Sequence, residues 1–169
     1  MSTTQMQFAG APADLAEEPL SVYINRTFRA PRQRVFDAWT KPEQMLRWRG
    51  PEGWEVLEAI SEPKPGGQHR TVVRGTPKPR SADDHPVEVT GASWGVYLDV
   101  EPYSLVRFTW NADWAPGEES MVTVRLSDAE DGGTVMEFMH DRFLTPQSAA
   151  GHNQGWNSAF NKLTKFVEG

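Results

Sequence analysis

Apolar and polar positions alternate from Leu20 through LSVYINRTFRA, the period of a half-buried strand, and Ala30-Pro31 closes the run. The period then changes. In PRQRVFDAWTKPEQMLRW, the residues Val35, Phe36, Trp39, Met45, Leu46 and Trp48 recur at helical spacing and are interrupted at Pro42, which predicts two short helices packed on a sheet. Six further runs read as strands: WEVLEAIS, QHRTVVRG, VEVTGASWGVYLDV, LVRFTWN, SMVTVRLSD and TVMEFMHDRF. Between them lie EPKPGG, TPKPRSADDHP, EPYS, ADWAPGEE and AEDGG, so the spacing predicts a meander of antiparallel strands.

The chain closes on a helix. Thr145 is its expected N-cap with Pro146 in the first turn, and His152, Trp156, Phe160, Leu163 and Val167 fall on one stripe. This order predicts an α+β arrangement in which a strongly bent antiparallel sheet of about seven strands buries one face against the long C-terminal helix, with two short helices after the first strand. Gly151 and Gly155 sit in the first half of the helix, where glycine costs about 0.5–1 kcal/mol relative to alanine. Either a strand packs closely there or room is left for a ligand. Residues 1–19 show no sustained period and are expected to be a mobile tail, leaving 20–169 as a single domain.

Composition narrows the classes. Of 169 residues, 38% are hydrophobic, 24% charged and 11% aromatic, and no apolar run is long enough to span a bilayer. With no cleavable leader pattern either, the expected location is cytoplasmic. A net charge of -6 argues against a general nucleic-acid binder. The absence of cysteine removes disulfide frameworks, thiolate nucleophiles and sulfur-bound zinc.

APRQRVFDAWTKPEQMLRWRGP, PKPGGQHR, GVYLDVEPYSLVRFTW, GTVMEFMHDRF and HNQGW, in this order, resemble the family of activator of heat-shock-protein-90 ATPase homologues, of the START and Bet v 1-like (SRPBCC) superfamily. The resemblance spans Leu20 to Val167. It implies a helix-grip fold with a hydrophobic cavity between sheet and terminal helix. Co-chaperone activity, by the same resemblance, belongs to larger relatives with an additional domain. The chain departs from the family's common pattern at Arg49, where a second Trp often follows Trp48, and at His69, where an aromatic is usual.

Several residues then become candidates. Met136, Phe138 and His140 share one face of the last strand with Thr134, while Glu137 and Asp141 point the other way. His140 and His152 are separated by one loop and the first helix turns, so both are catalytic candidates as general acid or base; the plainer reading is a hydrogen-bonded polar core residue. Phe108 and Trp110 on one strand, with Trp94 and Tyr97 on the next, either line an apolar pocket or fill the core. His69 and Thr71 alternate with Val73 on the expected inner face and would make the wall partly polar. The resemblance places Arg49, in RWRGP beside Trp48, at the cavity end of the short helices, where it would pair with a ligand carboxylate or extend to solvent. Trp156 borders the same space. The loop 76–86 is either a lid or an ordinary connection.

No nucleophile elbow, phosphate-binding loop or dinucleotide fingerprint is found, and no metal site or cofactor is expected. The leading expectation is a protein that binds a hydrophobic or aromatic small molecule, without nucleic acid or a membrane span as partner and with homodimerisation left open. The alternatives are a cavity enzyme using a histidine, of the cyclase, dehydratase or hydrolase type, and an interaction module related to chaperone ATPases.

Overall fold

Val22, Ile24 and Phe28 turn inward along β1 (Val22–Phe28) while Tyr23, Asn25 and Thr27 face out, as the alternation requires. The computed structural model describes residues 20–169, so the tail expected over 1–19 lies outside the described residues. Pro31 breaks the strand, and two short helices follow, α1 (Arg32–Thr40) and α2 (Pro42–Trp48), with Pro42 opening the second. They bury Val35, Phe36, Ala38, Trp39, Met45 and Trp48. Leu46, expected on that face, points outward and is 42% exposed, because two helices of seven to nine residues share one narrow apolar stripe.

The meander comprises β2 (Glu55–Ser61), β3 (Gln68–Gly75), β4 (Val89–Glu101), β5 (Leu105–Ala112), β6 (Ala115–Asp128) and β7 (Thr134–Asp141). All neighbours are antiparallel and β1 joins beyond β7, giving the order β1-β7-β6-β5-β4-β3-β2. Register shifts at Val56/Glu58, Tyr97/Asp99 and Trp110/Ala112 add bulges, each of which increases local twist and bends the sheet. The helix α3 (Pro146–Glu168) lies in the resulting concavity, capped by Thr145, whose hydroxyl accepts from the Ser148 amide at 3.0 Å.

One expected loop is mostly strand. ADWAPGEE closes as a tight connection, with Ala112 paired to Ala115 and β6 running from Ala115 onward. This puts Trp114 at the tip of a hairpin instead of in a free loop.

The core is a layer of rings between α3 and the sheet. Trp39 packs against Trp48, Phe108, Phe138, Trp156 and Phe160 with ring centroids 4.8–6.4 Å apart. On α3 the stripe His152, Trp156, Phe160, Leu163 and Val167 is buried throughout. Toward the N-terminal half of α3 the filling stops, and that gap is the site.

Candidate functional site

A cavity of about 180 Å³ lies between the N-terminal half of α3, the segment after α2 and the inner faces of β3, β4 and β5. Trp110 and Trp156 form its aromatic floor, Trp54 and Trp114 flank it, and Gly151 and Gly155 form its helical side. An added Cβ at either glycine meets nothing within 4 Å. Close packing against a strand is therefore not their reason; both border open space, Gly151 at the exposed rim of the cavity and Gly155 half-buried along it. Gly151→Ala and Gly155→Ala are each expected to stabilise the protein by about 0.5–1 kcal/mol, since helix propensity improves without a clash. Urea denaturation would read this directly, and a loss of stability in either variant would contradict open space at that position.

The polar end is built by Arg49, Thr71 and Ser93. Thr71 and Ser93 are direct partners across β3 and β4, both inward-facing and buried. Arg49 caps the C-terminus of α2, its amide donating to the Met45 carbonyl. Gly50 follows with φ +77°, turning the chain over Val73 in a conformation that a side chain would resist. Three contacts pin this segment to α3: Lys162 Nζ donates to the Arg49 carbonyl at 2.9 Å, the Glu52 amide donates to Ser158 Oγ at 2.7 Å, and Asn161 Nδ2 donates to Glu52 Oε1 at 3.0 Å.

Arg49 does not extend to solvent. It is 3% exposed, with its guanidinium 5.1 Å from the Trp39 and Trp48 rings and 5.9 Å from Trp156. Burial lowers its pKa to about 10, leaving it a cation at neutral pH, and the nearby Tyr97 works the other way. Among the described residues its Nε and Nη1 have no hydrogen-bond partner, nor has the buried hydroxyl of Thr71.

The histidines are wired differently from one another. The Trp156 indole N–H donates to His140 Nδ1 at 3.0 Å, so that nitrogen is bare and Nε2–H donates to Ser120 Oγ at 2.7 Å. His152 is the other tautomer: Nδ1–H donates to the Ser148 carbonyl at 2.8 Å, and Nε2 accepts from the indoles of Trp110 and Trp114 at 3.3 and 3.2 Å. Both rings are thus neutral with both nitrogens engaged, which leaves neither a free nitrogen for proton transfer. Desolvation holds the His140 pKa well below the usual imidazole range, with His152 adding to the effect, and desolvation also lowers His152 against the pull of Glu118.

His69 donates Nε2–H to the Thr109 carbonyl at 2.8 Å across Gly95, where any Cβ would overlap that carbonyl oxygen. Its Nδ1 is buried without a partner. Burial lowers its pKa to about 4, and the Arg49 charge contributes.

Of the twelve ligand candidates read from the sequence, Arg49, Thr71, Trp110, His152 and Trp156 line the cavity. The other seven lie away from its lining. Trp94 lies on the outer face at 38% exposure, because it is three residues from Tyr97 and strand alternation sends the two to opposite sides. Trp48, Phe108, Met136 and Phe138 fill the core beneath, His140 is locked in its hydrogen-bond chain, and His69 sits between Tyr97, Phe108 and Trp110. None of residues 76–86 lines the cavity. The sequence reading placed Val73 on the inner face and missed Trp54, Trp114, Gly50, Pro51, Ser93 and Ala159. Only Ser93 carried a signal, its inward register beside Thr71. Among the described residues, no group of three or more His, Asp or Glu side chains is placed to hold a metal, and no helix is long and apolar enough to cross a membrane.

The model of the family described as Activator of Hsp90 ATPase homolog 1-like protein matches residues 29–168. Solved structures of similar shape include a protein from Rhodobacter sphaeroides, 24% identical with a TM-score of 0.69 over 88% of this chain and 92% of that one. A protein from Chromobacterium violaceum is 21% identical, with a TM-score of 0.69 over 89% and 99% of the two chains. The AHSA1 protein from Silicibacter pomeroyi is 21% identical, with a TM-score of 0.68 over 86% and 95%. At these identities the likeness is one of fold. No curated protein matches the sequence.

Proposed function

The chain belongs to the Activator of Hsp90 ATPase homolog 1-like family, in the helix-grip superfamily whose members typically bind ligands in a cavity, and from that premise we propose that it binds a small aromatic or apolar molecule between the sheet and α3. The observation that carries the reading is the unfilled space beneath Gly151 and Gly155, walled by four indoles. A cavity of about 180 Å³ suits a single ring with a short substituent, since an apolar cavity of roughly 150 Å³ takes benzene. Burial of apolar surface supplies affinity at about 25 cal/mol per Å² before the costs of association.

Toluene, phenol and cyclohexanone are suitable neutral probes. At least one is expected to raise the melting temperature and alter tryptophan emission, because Trp110 and Trp156 border the guest. Gly155→Phe, which directs a ring into the same space, is expected to remove both responses while the protein stays folded. If no neutral or acidic single-ring compound produces a response in the wild-type chain, the binding reading is wrong.

A further inference from the structure

Arg49 is the least expected residue of the interior. A buried cation is costly unless an anion or strong acceptor answers it, and most buried charges are paired. Here no carboxylate of the described residues forms an ion pair with Arg49, and what holds the guanidinium is the faces of three indoles. Cation–π contact engages the flat faces and leaves the in-plane N–H donors unused. Nε and Nη1 belong to the two different hydrogen-bonding edges of the group, so the described residues close neither edge. The same cavity wall carries the hydroxyls of Thr71 and Ser93, and that of Thr71 is also without a partner among the described residues.

We infer that the guest is a carboxylate, a single-ring or similarly compact apolar acid whose anionic head lies at the guanidinium of Arg49 with Thr71 beside it, and whose ring lies over Trp110 and Trp156. This rests on the cavity being a ligand site, and adds the chemistry of the guest. The planar guanidinium matches a carboxylate through two parallel hydrogen bonds, an arrangement that a hydroxyl or amide guest does not complete. The anion also removes the cost of the unpaired buried charge, so the empty protein tolerates a destabilising group that the complex uses. Lys162, Ser158 and Asn161 hold the main chain of the Arg49 segment against α3, so the guanidinium is presented from a fixed backbone.

The test compares benzoate with benzamide, and phenylacetate with phenylacetamide, by calorimetric titration of the full chain at pH 7.5. In wild type each acid is expected to bind at least about tenfold tighter than its amide, the range of a buried charge-assisted hydrogen bond. Arg49→Met should abolish that preference while the amides still bind, and should raise the melting temperature of the empty protein. Arg49→Lys, which keeps the charge without the fork, should retain a smaller preference; this variant and the wild-type ratio decide the matter should Arg49→Met not fold. Amides binding as tightly as acids in wild type, or a preference that survives Arg49→Met, overturns the inference while leaving the cavity reading intact. No binding by acids, amides or the neutral probes overturns both.

Discussion

Between pH 7 and pH 5 the protein is expected to lose stability steeply, by about 2 kcal/mol from His69 alone, because a site neutral in the fold and titrating near 6.5 when unfolded is opposed by proton uptake. The sign follows from which state holds the proton. Unfolded imidazole is protonated below about pH 6.5, whereas folded His69 stays neutral down to about 4. The contribution is complete above the unfolded value and is lost as pH falls through the window between the two. His140 and His152 are lowered in the same direction, so they add to the slope. Protonating His140 would put a proton on Nδ1 against the Trp156 N–H, and protonating His152 would oppose two indole N–H groups at once. Glu118 near His152 moderates the effect there, and Asp141, whose pKa is raised by burial, acts with the opposite sign. Urea midpoints measured from pH 7.5 to 4.5 should give a slope above about 1.4 kcal/mol per pH unit, the limit for a single proton. His69→Phe should reduce that slope by up to one proton. A flat profile across this range would show that the three rings are not kept neutral by the fold.

The order of elements was legible because each depends on local signals: strand alternation, helical spacing around Pro42, and Thr145-Pro146 at the start of α3. Gly151 and Gly155 were legible as an anomaly, and the structure decides between their two explanations in favour of space. Side-chain direction on a bulged strand was legible only in part. The bulge at Tyr97/Asp99 carries no sequence signal, whereas the outward turn of Trp94 follows from its odd spacing to Tyr97, which a reading by aromatic content alone overlooks. Trp54 and Trp114 were hidden for another reason: both sit in connections, and only the antiparallel closure of the sheet brings them to the mouth of one cavity. Arg49 was visible as a departure, but its burial was not, since solvent is the default destination of a guanidinium until three indoles are known to surround it. The histidines were legible as buried-face residues. Their partners were not, because Ser120, Trp110 and Trp114 reach them across distances of 20 to 42 residues in sequence.

Trp39→Ala is expected to cost about 3–5 kcal/mol, the range for removing a large aromatic from a core, and so to consume much of the roughly 5–15 kcal/mol of a typical domain. Trp39 is 1% exposed and touches α2, α3 and the sheet together, through Trp48, Trp156, Phe160, Phe108 and Phe138. Collapse cannot refill its volume, because those five neighbours are anchored on four different elements. Trp39→Phe should be far milder, below about 2 kcal/mol: it loses volume, but it also removes an indole N–H that is buried without an acceptor. The contrast separates packing from hydrogen bonding, since a donor that mattered would make the two variants similar. Trp39 is also one face of the Arg49 cage, so its loss strips a favourable contact from the buried cation. Combining Trp39→Phe with Arg49→Met in a double-mutant cycle should therefore reveal a coupling of about 0.5–2 kcal/mol. Additive effects in that cycle would mean that the guanidinium gains nothing from the ring beneath it, and that the fold carries the buried charge on Trp48 and Trp156 alone.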